Sequence, residues 1–322
     1  MKKIAIGSLV LCALLAVVLV GPSGAQNFPN KPINYIIPFN PGGESDITAR
    51  LQQSYLEKAL GVTVNVTHKP GGGGAVAWSE FQRTARPDGY TIIGVNIPHI
   101  IAQPIERRDA GYTTEGWELL IWFHFTPNAL IVQKESNIKT LEDFIAMAKS
   151  KPKAVTVAGS GSYSANHLEI LRLNKLAGID TTYVPHTGTG PIVPALMGGH
   201  VTSTMNYSMV GVQYQDRMRT LAVATDERLE VLPDVPTFKE LGYDIVGGAY
   251  RGVAVPKGTP PEVIKILTDA FIKTTEQIAD KQREMGFEVT TVIGKEAHEL
   301  VGRMKAGYGD ILEDLAKQRQ KQ

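Results

Sequence analysis

From residue 33 onward, short apolar segments alternate with segments of helical spacing, and this alternation restricts the possible folds more than any other feature. Three segments repeat apolar residues with the spacing of a buried helix face, at Ile47–Leu60, Leu168–Leu176 and Ile264–Phe271. The alternation predicts α/β lobes with mostly parallel sheets. The segments typical of buried strands are Ile33–Phe39, Val62–Thr67, Tyr90–Val95, Leu130–Val132, Ala154–Ala158, Val201–Met205, Thr220–Ala224 and Gly252–Val255.

The first 25 residues are predicted to be a secretory signal peptide. Lys2 and Lys3 form a basic start, residues 4–20 are almost wholly apolar, and Ser23-Gly24-Ala25 fits a cleavage site. The alternative, an uncleaved anchor helix, fits less well because polar residues follow at once. Cys12, the only cysteine, lies inside this segment. The exported chain is therefore expected to have no disulfide, thiol nucleophile or thiolate metal site.

The exported chain is long and nearly uncharged. About 297 residues follow position 25, more than one hydrophobic core usually serves, so two lobes are expected. Without Lys2 and Lys3 the formal charge changes from +1 to about −1, which argues against nucleic acid as a partner. No later segment has the roughly 20 apolar residues of a membrane span, so we expect a soluble, exported protein.

Three predicted strand-to-helix junctions combine glycine with hydroxyl side chains. At each, glycine allows a ligand to approach the backbone closely, and free N–H groups at the helix start point outward. These junctions predict anion-binding loops that need no lysine or arginine, although such turns can also simply cap helices. They are Pro41-Gly42-Gly43 before a helix from about Ser45, Gly159-Ser160-Gly161-Ser162, and Thr187-Gly188-Thr189-Gly190 before Pro191.

Other motifs give little support to catalysis or cofactor binding. "HKPGGGGAVAW" (68–78) lacks the acidic residue of a dinucleotide site and the Gly-Lys-Ser/Thr ending of a phosphate loop, so it predicts a structural turn beside the cleft. The seven histidines have no metal-binding spacing, and no Gly-x-Ser-x-Gly elbow occurs. We expect no catalytic residue, no metal and no cofactor.

At these junctions the chain resembles the solute-binding proteins of tripartite tricarboxylate transporters, also called the Bug-type family. The resemblance covers nearly the whole exported chain. Its matching segments, in family order, are "FPNKPINYIIPFNPGGESDITARL", "VTHKPGGGGAVAWSEF", "ARPDGYTII", "VAGSGSYSANHLE", "VPHTGTGPIVPALMGGHV", "LAVATDERLEVLPDVPTFKELGYD" and "RGVAVPKGTP".

The resemblance implies a two-lobed periplasmic-binding-protein fold, type II-like, that closes on a ligand in the cleft. Residues 26–123 and 248–322 would form lobe 1, and residues 124–247 would form lobe 2. It further implies a periplasmic monomer that delivers a small organic carboxylate, a di- or tricarboxylate that is aliphatic or aromatic, to integral-membrane permease subunits.

The family's ligand-binding positions fall on the same glycine junctions. Asn96 and Asn206 lie near strand ends and are expected to be polar contacts. Arg251 is expected to receive a second carboxylate, bidentately; a surface or interlobe salt bridge is its alternative. The full predicted set is Pro41, Gly42, Gly43, Ser45, Asp46, Asn96, Ser160, Gly161, Ser162, Thr187, Gly188, Thr189, Gly190, Asn206 and Arg251.

The chain departs from the family pattern at two places. Many members have Gly-Thr where this chain has Glu44-Ser45, and lysine where it has Thr187. Asp46 is predicted to fix the first loop by accepting hydrogen bonds from its own backbone. Glu44 is harder to explain, since a carboxylate beside an anion pocket repels the ligand unless it points to solvent.

Two other functions remain open from the sequence. A module of the same fold could hand its closed form to a sensor histidine kinase instead of a permease. A periplasmic hydrolase could use Ser160 or Ser162 as its nucleophile.

Overall fold

The computed structural model describes residues 28–107 and 109–319. The predicted signal peptide lies outside the described residues. Within the described ranges, no helix combines the length and the apolar character needed to cross a bilayer.

Strands and helices alternate along most of the chain, as predicted. The strands are β1 (Ile33–Ile37), β2 (Val64–His68), β3 (Thr91–Ile97), β4 (Trp117–Gln133), β5 (Thr156–Gly159), β6 (Thr182–Pro185), β7 (Ser203–Tyr207), β8 (Met218–Val223), β9 (Gly248–Pro256) and β10 (Glu288–Ile293). The helices are α1 (Glu44–Leu60), α2 (Ala75–Thr84), α3 (His99–Glu106), α4 (Leu141–Ser150), α5 (Ala165–Ala177), α6 (Ile192–Met197), α7 (Ser208–Gln213), α8 (Pro261–Glu284), α9 (Gly294–Gly307) and α10 (Gly309–Arg319).

Two sheets share the long strand β4. The first sheet has the order β2-β1-β3-β9-β4, with β10 also on β4, and the second has the order β4-β7-β5-β6, with β8 also on β4. The α/β class is confirmed, but the predicted preponderance of parallel pairs is wrong. Strands β4 and β9 run antiparallel to every neighbour they have among the described strands.

The lobes meet where β4 leaves the first sheet. Asn128 N donates to Gly247 O (2.9 Å), and Gly247 N donates to Ala224 O (3.0 Å), so the two crossing chains lie side by side. The predicted boundaries near 123 and 247 fall close to this point and stay a prediction. Below, lobe 1 means the first sheet with its helices, and lobe 2 means the second.

Three sequence expectations differ from the observed elements. The predicted strand Leu130–Val132 is only the end of β4, because His124, Thr126 and Asn128 interrupt the apolar pattern of a strand that is nonetheless buried. The segment "VLPDVPTFKELGYD" (231–244) has the sequence of a proline-bounded loop around a short helix, but turns occupy it, held by bonds between Thr237 and Glu240. Strands β6 and β10 were not predicted, because half-exposed strands lack a continuous apolar run.

Helix α1 is rotated relative to its predicted apolar face. Its buried face follows Glu44, Thr48, Gln52 and Leu56, at a spacing of four residues, whereas Ile47 of the predicted face is only partly buried. The reason is tertiary, since α1 packs against β1, β2 and α8, and Glu44 at its start contacts Thr126 on β4 and Arg251 on β9. The rotation points the Glu44 side chain inward, toward the cleft.

Candidate ligand-binding site

Four glycine-rich loops meet across one cleft. We call them loop 1 (residues 40–43) and loop 2 (71–74) in lobe 1, and loop 3 (159–163) and loop 4 (187–190) in lobe 2. A Cβ atom added to Gly43 would lie 2.7 Å from Thr189 Oγ1 and 3.1 Å from Gly190 N. One added to Gly161 would lie 2.7 Å from Gly73 Cα. The two lobes therefore approach each other backbone against backbone, which only glycine permits at these points.

Loops 3 and 4 border one small space, and a second small space adjoins it within lobe 1; the two spaces share Ser45, Asn96 and Arg251. Two larger hollows lie elsewhere and are not lined by these loops. The size of a hollow is therefore a poor guide here, and we take the cleft as the candidate site. The first space is lined by Phe39, Ser45, Asn96, His99, Ser160, Gly188, Thr189, Tyr207 and Arg251.

Loop 1 is fixed by Asp46, as predicted. Its Oδ2 accepts a hydrogen bond from Gly42 N (2.8 Å), while its Oδ1 contacts Arg50 Nε (2.8 Å) and His68 Nε2 (2.7 Å). Asp46 also lies in the first turn of α1, where a carboxylate stabilises the helix dipole. Asp46 thus shapes the loop rather than lining the cleft.

We expect Asp46→Ala to lower the free energy of unfolding by about 1–2 kcal/mol, because it removes a capping acceptor and leaves Gly42 N unpaired. Urea unfolding monitored by circular dichroism measures this. Asp46→Asn retains an acceptor oxygen and is the matched control, so an equal loss in both variants would contradict the loop-fixing role.

Loop 3 is held by a series of hydrogen bonds between buried side chains. The series ends at Asn128, where β4 crosses between the lobes; we call this crossing the hinge. Ser160 Oγ donates to Asn166 Oδ1 (2.6 Å), and Asn166 Nδ2 donates to Asn128 Oδ1 (2.9 Å) on β4. Ser160 Oγ also lies 3.4 Å from Tyr207 Oη. An amide and a phenol do not activate a serine nucleophile, so this geometry gives no support to Ser160 as the nucleophile of a hydrolase.

Several backbone donors expected to serve a ligand are already used within the protein. Ser160 N donates to Asn166 Oδ1 (3.0 Å), Gly161 N to Gly159 O (2.9 Å), and Glu44 N to Thr189 Oγ1 (2.9 Å). The last bond joins the two lobes. These three amides are therefore not available to a ligand in this form, so side-chain donors must contribute.

Two buried side chains offer such donors. Asn96 and Arg251 line both spaces and are 2% and 4% exposed. Within the described chain, Asn96 Nδ2 and Arg251 Nε have no hydrogen-bond partner. Because buried donors are normally paired, each points to a group that the cleft receives.

Glu44 forms a buried ion pair with Arg251. Arg251 Nη2 lies 2.7 Å from Glu44 Oε2, and the two side chains are 5% and 1% exposed. Glu44 Oε1 accepts a hydrogen bond from Thr126 and lies 3.4 Å from His124 Nε2. The carboxylate therefore does not point to solvent, and the carboxylate observed beside Arg251 belongs to the chain itself.

Burial keeps the histidines around the cleft neutral. Desolvation lowers the pKa of His99 to about 3, and the positive charge of Arg251 acts in the same direction. Desolvation is also the main cause of the lowered pKa of His124, although Glu44 partly opposes it. Neither imidazole therefore adds a positive charge to the site at neutral pH.

We expect stability to fall with pH below about 6.5. The pKa of His99 is about 3 in the folded chain and about 6.5 in the unfolded chain. Between these two pH values the unfolded chain therefore binds more protons, so lowering the pH favours the unfolded chain. At pH 5 the loss from His99 alone is about 2 kcal/mol. Urea unfolding at pH 7 and pH 5 should show a smaller difference for His99→Gln than for the parent chain, and an equal difference would contradict the assignment.

The structure brings many of the predicted site residues together. Ser45, Asn96, Ser160, Gly188, Thr189 and Arg251 line the first space, and Gly43, Gly161 and Gly190 form the contacts between lobes. Their role in ligand binding stays a prediction. The remaining residues do not line either space: Pro41, Gly42 and Thr187 are exposed, Asp46 holds loop 1, and Ser162 and Asn206 lie outside the lining.

Among the residues that line the first space, Phe39, His99 and Tyr207 are missing from the predicted set. Phe39 and His99 each come two residues after a strand of the first sheet, β1 and β3. Ligands of open α/β sheets bind outside the carboxyl ends of strands, so this position was the available signal. The sequence singled out Glu44 but did not predict its ion pair with Arg251.

Two α/β lobes joined by crossing strands, with loops of both lobes meeting over a cleft, define a periplasmic-binding-protein fold. The family model described as "Tripartite tricarboxylate transporter family receptor" matches residues 48–316 of this chain. The chain therefore belongs to this family.

Relatives agree in sequence and in structure. The "UPF0065 protein in gbd 5'region" of Cupriavidus necator is 35% identical over 260 residues, 78% of this chain and 77% of the relative. The periplasmic binding protein BugD has a TM-score of 0.82 and 25% identity, covering 90% of this chain and 98% of BugD. MatC from Rhodopseudomonas palustris, solved with bound malate, has a TM-score of 0.80 and 26% identity, covering 88% of this chain and 100% of MatC.

Proposed function

We propose that this chain is an exported, monomeric receptor that captures a small organic carboxylate in the periplasm. It releases the ligand, chemically unchanged, to the membrane permease of a tripartite tricarboxylate transporter. The observation that carries the proposal is the pair of buried donors without protein partners, Asn96 Nδ2 and Arg251 Nε, at a cleft closed by glycine loops of both lobes.

The relatives support the class of ligand. MatC, which shares this fold and 26% identity, binds malate, a carboxylate. Glycine loops suit this task, because they let two lobes close tightly enough to exclude water from a small anion. Closure also brings residues of both lobes onto one surface, which a permease can distinguish from the open form.

Isothermal titration calorimetry of the exported chain against mono-, di- and tricarboxylates tests the binding step. We expect at least one acid to bind with a micromolar or lower Kd, and no heat with any carboxylate would refute the proposal. Uptake of the best labelled acid in cells with and without the chain tests the delivery step. Uptake that does not depend on the chain would favour a sensory role.

A further inference from the structure

The cleft contains very little positive charge for a receptor of anions. Among the lysines and arginines that the structure describes, Arg251 alone lines the two adjoining spaces. Its guanidinium is already paired with Glu44 at 2.7 Å. The lining histidine, His99, is neutral because burial lowers its pKa to about 3. The site therefore has almost no net charge before a ligand enters.

The Glu44 carboxylate is held in place from several sides. Thr126 on β4 donates to Oε1, Arg251 on β9 binds Oε2, and Glu44 N is bonded to Thr189 Oγ1 of the other lobe. The residue is 1% exposed and lies on the inward face of α1. The Glu44 carboxylate cannot reach solvent without breaking these bonds, so its charge stays beside the site when the lobes are closed.

The groups left for a ligand suit one carboxylate. Asn96 Nδ2 and Arg251 Nε can donate to a single carboxylate, and His99 Nδ1, also without a partner among the described residues, can bond to a neutral polar group. A second carboxylate would find no further cation here. It would lie in a poorly hydrated space a few ångströms from Glu44, where like charges repel strongly.

We propose that Glu44 sets the charge of the ligand: by occupying Arg251 it restricts the cleft to monocarboxylates whose remaining part is uncharged, and excludes di- and tricarboxylates. This inference rests on the proposed function and narrows it. It departs from the di- or tricarboxylate that the family resemblance implies, because that expectation left Arg251 free for the ligand.

Pairs of acids that differ only in one charge test the proposal. Succinate with its monoamide, adipate with its monoamide, and terephthalate with its monoamide keep size and shape nearly constant. Calorimetry on the parent chain should show that each monoamide that binds does so at least 10-fold more tightly than its diacid. Tighter binding of the diacids would overturn the inference while leaving the receptor function intact, whereas no binding of any acid would overturn both.

The variant Glu44→Gln tests whether Glu44 itself causes the preference for monoamides over diacids. It keeps an acceptor for Thr126 and frees Arg251 for a ligand, so the preference for the monoamide should fall at least 10-fold or reverse. Glu276→Gln, on the exposed face of α8, removes the same charge away from the cleft and should retain the parent preference. An unchanged preference in a folded Glu44→Gln protein would overturn the proposal, and if that variant does not fold, the parent chain's ranking of the pairs decides it.

Discussion

Replacing Gly43 by valine should weaken carboxylate binding at least 100-fold and change the free energy of unfolding by less than about 1 kcal/mol. The backbone of Gly43 has φ −88°, which valine adopts without strain. The added side chain instead meets the opposite lobe, since even a Cβ would lie 2.7 Å from Thr189 Oγ1. The variant would fold normally, but its lobes could not close on a ligand.

Calorimetry with the best-binding acid and urea unfolding measure the two effects separately. Gly302→Val is the matched control, because a Cβ at Gly302 in α9 meets no atom within 4 Å. The control should bind like the parent chain. If Gly43→Val bound with parent affinity, the contact between loop 1 and loop 4 would not belong to the ligand-bound state.

The second large effect concerns the buried ion pair. Arg251→Met should lower the free energy of unfolding by about 3–5 kcal/mol, because Glu44 would remain buried without its cation. Thr126 would still donate to it, but a single neutral hydrogen bond does not replace an ion pair in a site that excludes water.

A double-mutant cycle measures the coupling between the two residues. Glu44→Gln combined with Arg251→Met leaves no unpaired charge, so the double variant should be more stable than Arg251→Met alone. Additive effects of the two substitutions would show that the pair contributes no coupling energy. Urea unfolding at pH 7, where His99 and His124 of the parent chain are neutral, measures the stability of all four proteins.

Glu44 contacts the other lobe as well as the strands that cross between the lobes. Its backbone N–H bonds to Thr189 in lobe 2, and its side chain binds Thr126 on β4 and Arg251 on β9. These two strands lie at the crossing between lobes. The residue that decides the charge of the site is therefore also tied to the hinge.

The sequence by itself determined the local features of this protein. Alternating apolar segments predicted the α/β class, and the position of Asp46 in the first turn of its helix predicted how loop 1 is fixed. Both depend on interactions within one turn or one element, where residue type and spacing suffice.

Only the tertiary structure decided what the cleft contains. The rotation of α1, the pairing of Glu44 with Arg251 and the bond from Glu44 N to Thr189 depend on residues distant in sequence or on packing. A carboxylate in the sequence repels anions or neutralises a cation according to which side chain faces it. That neighbour is set by packing, because burial requires each charge to find a partner wherever the fold brings one.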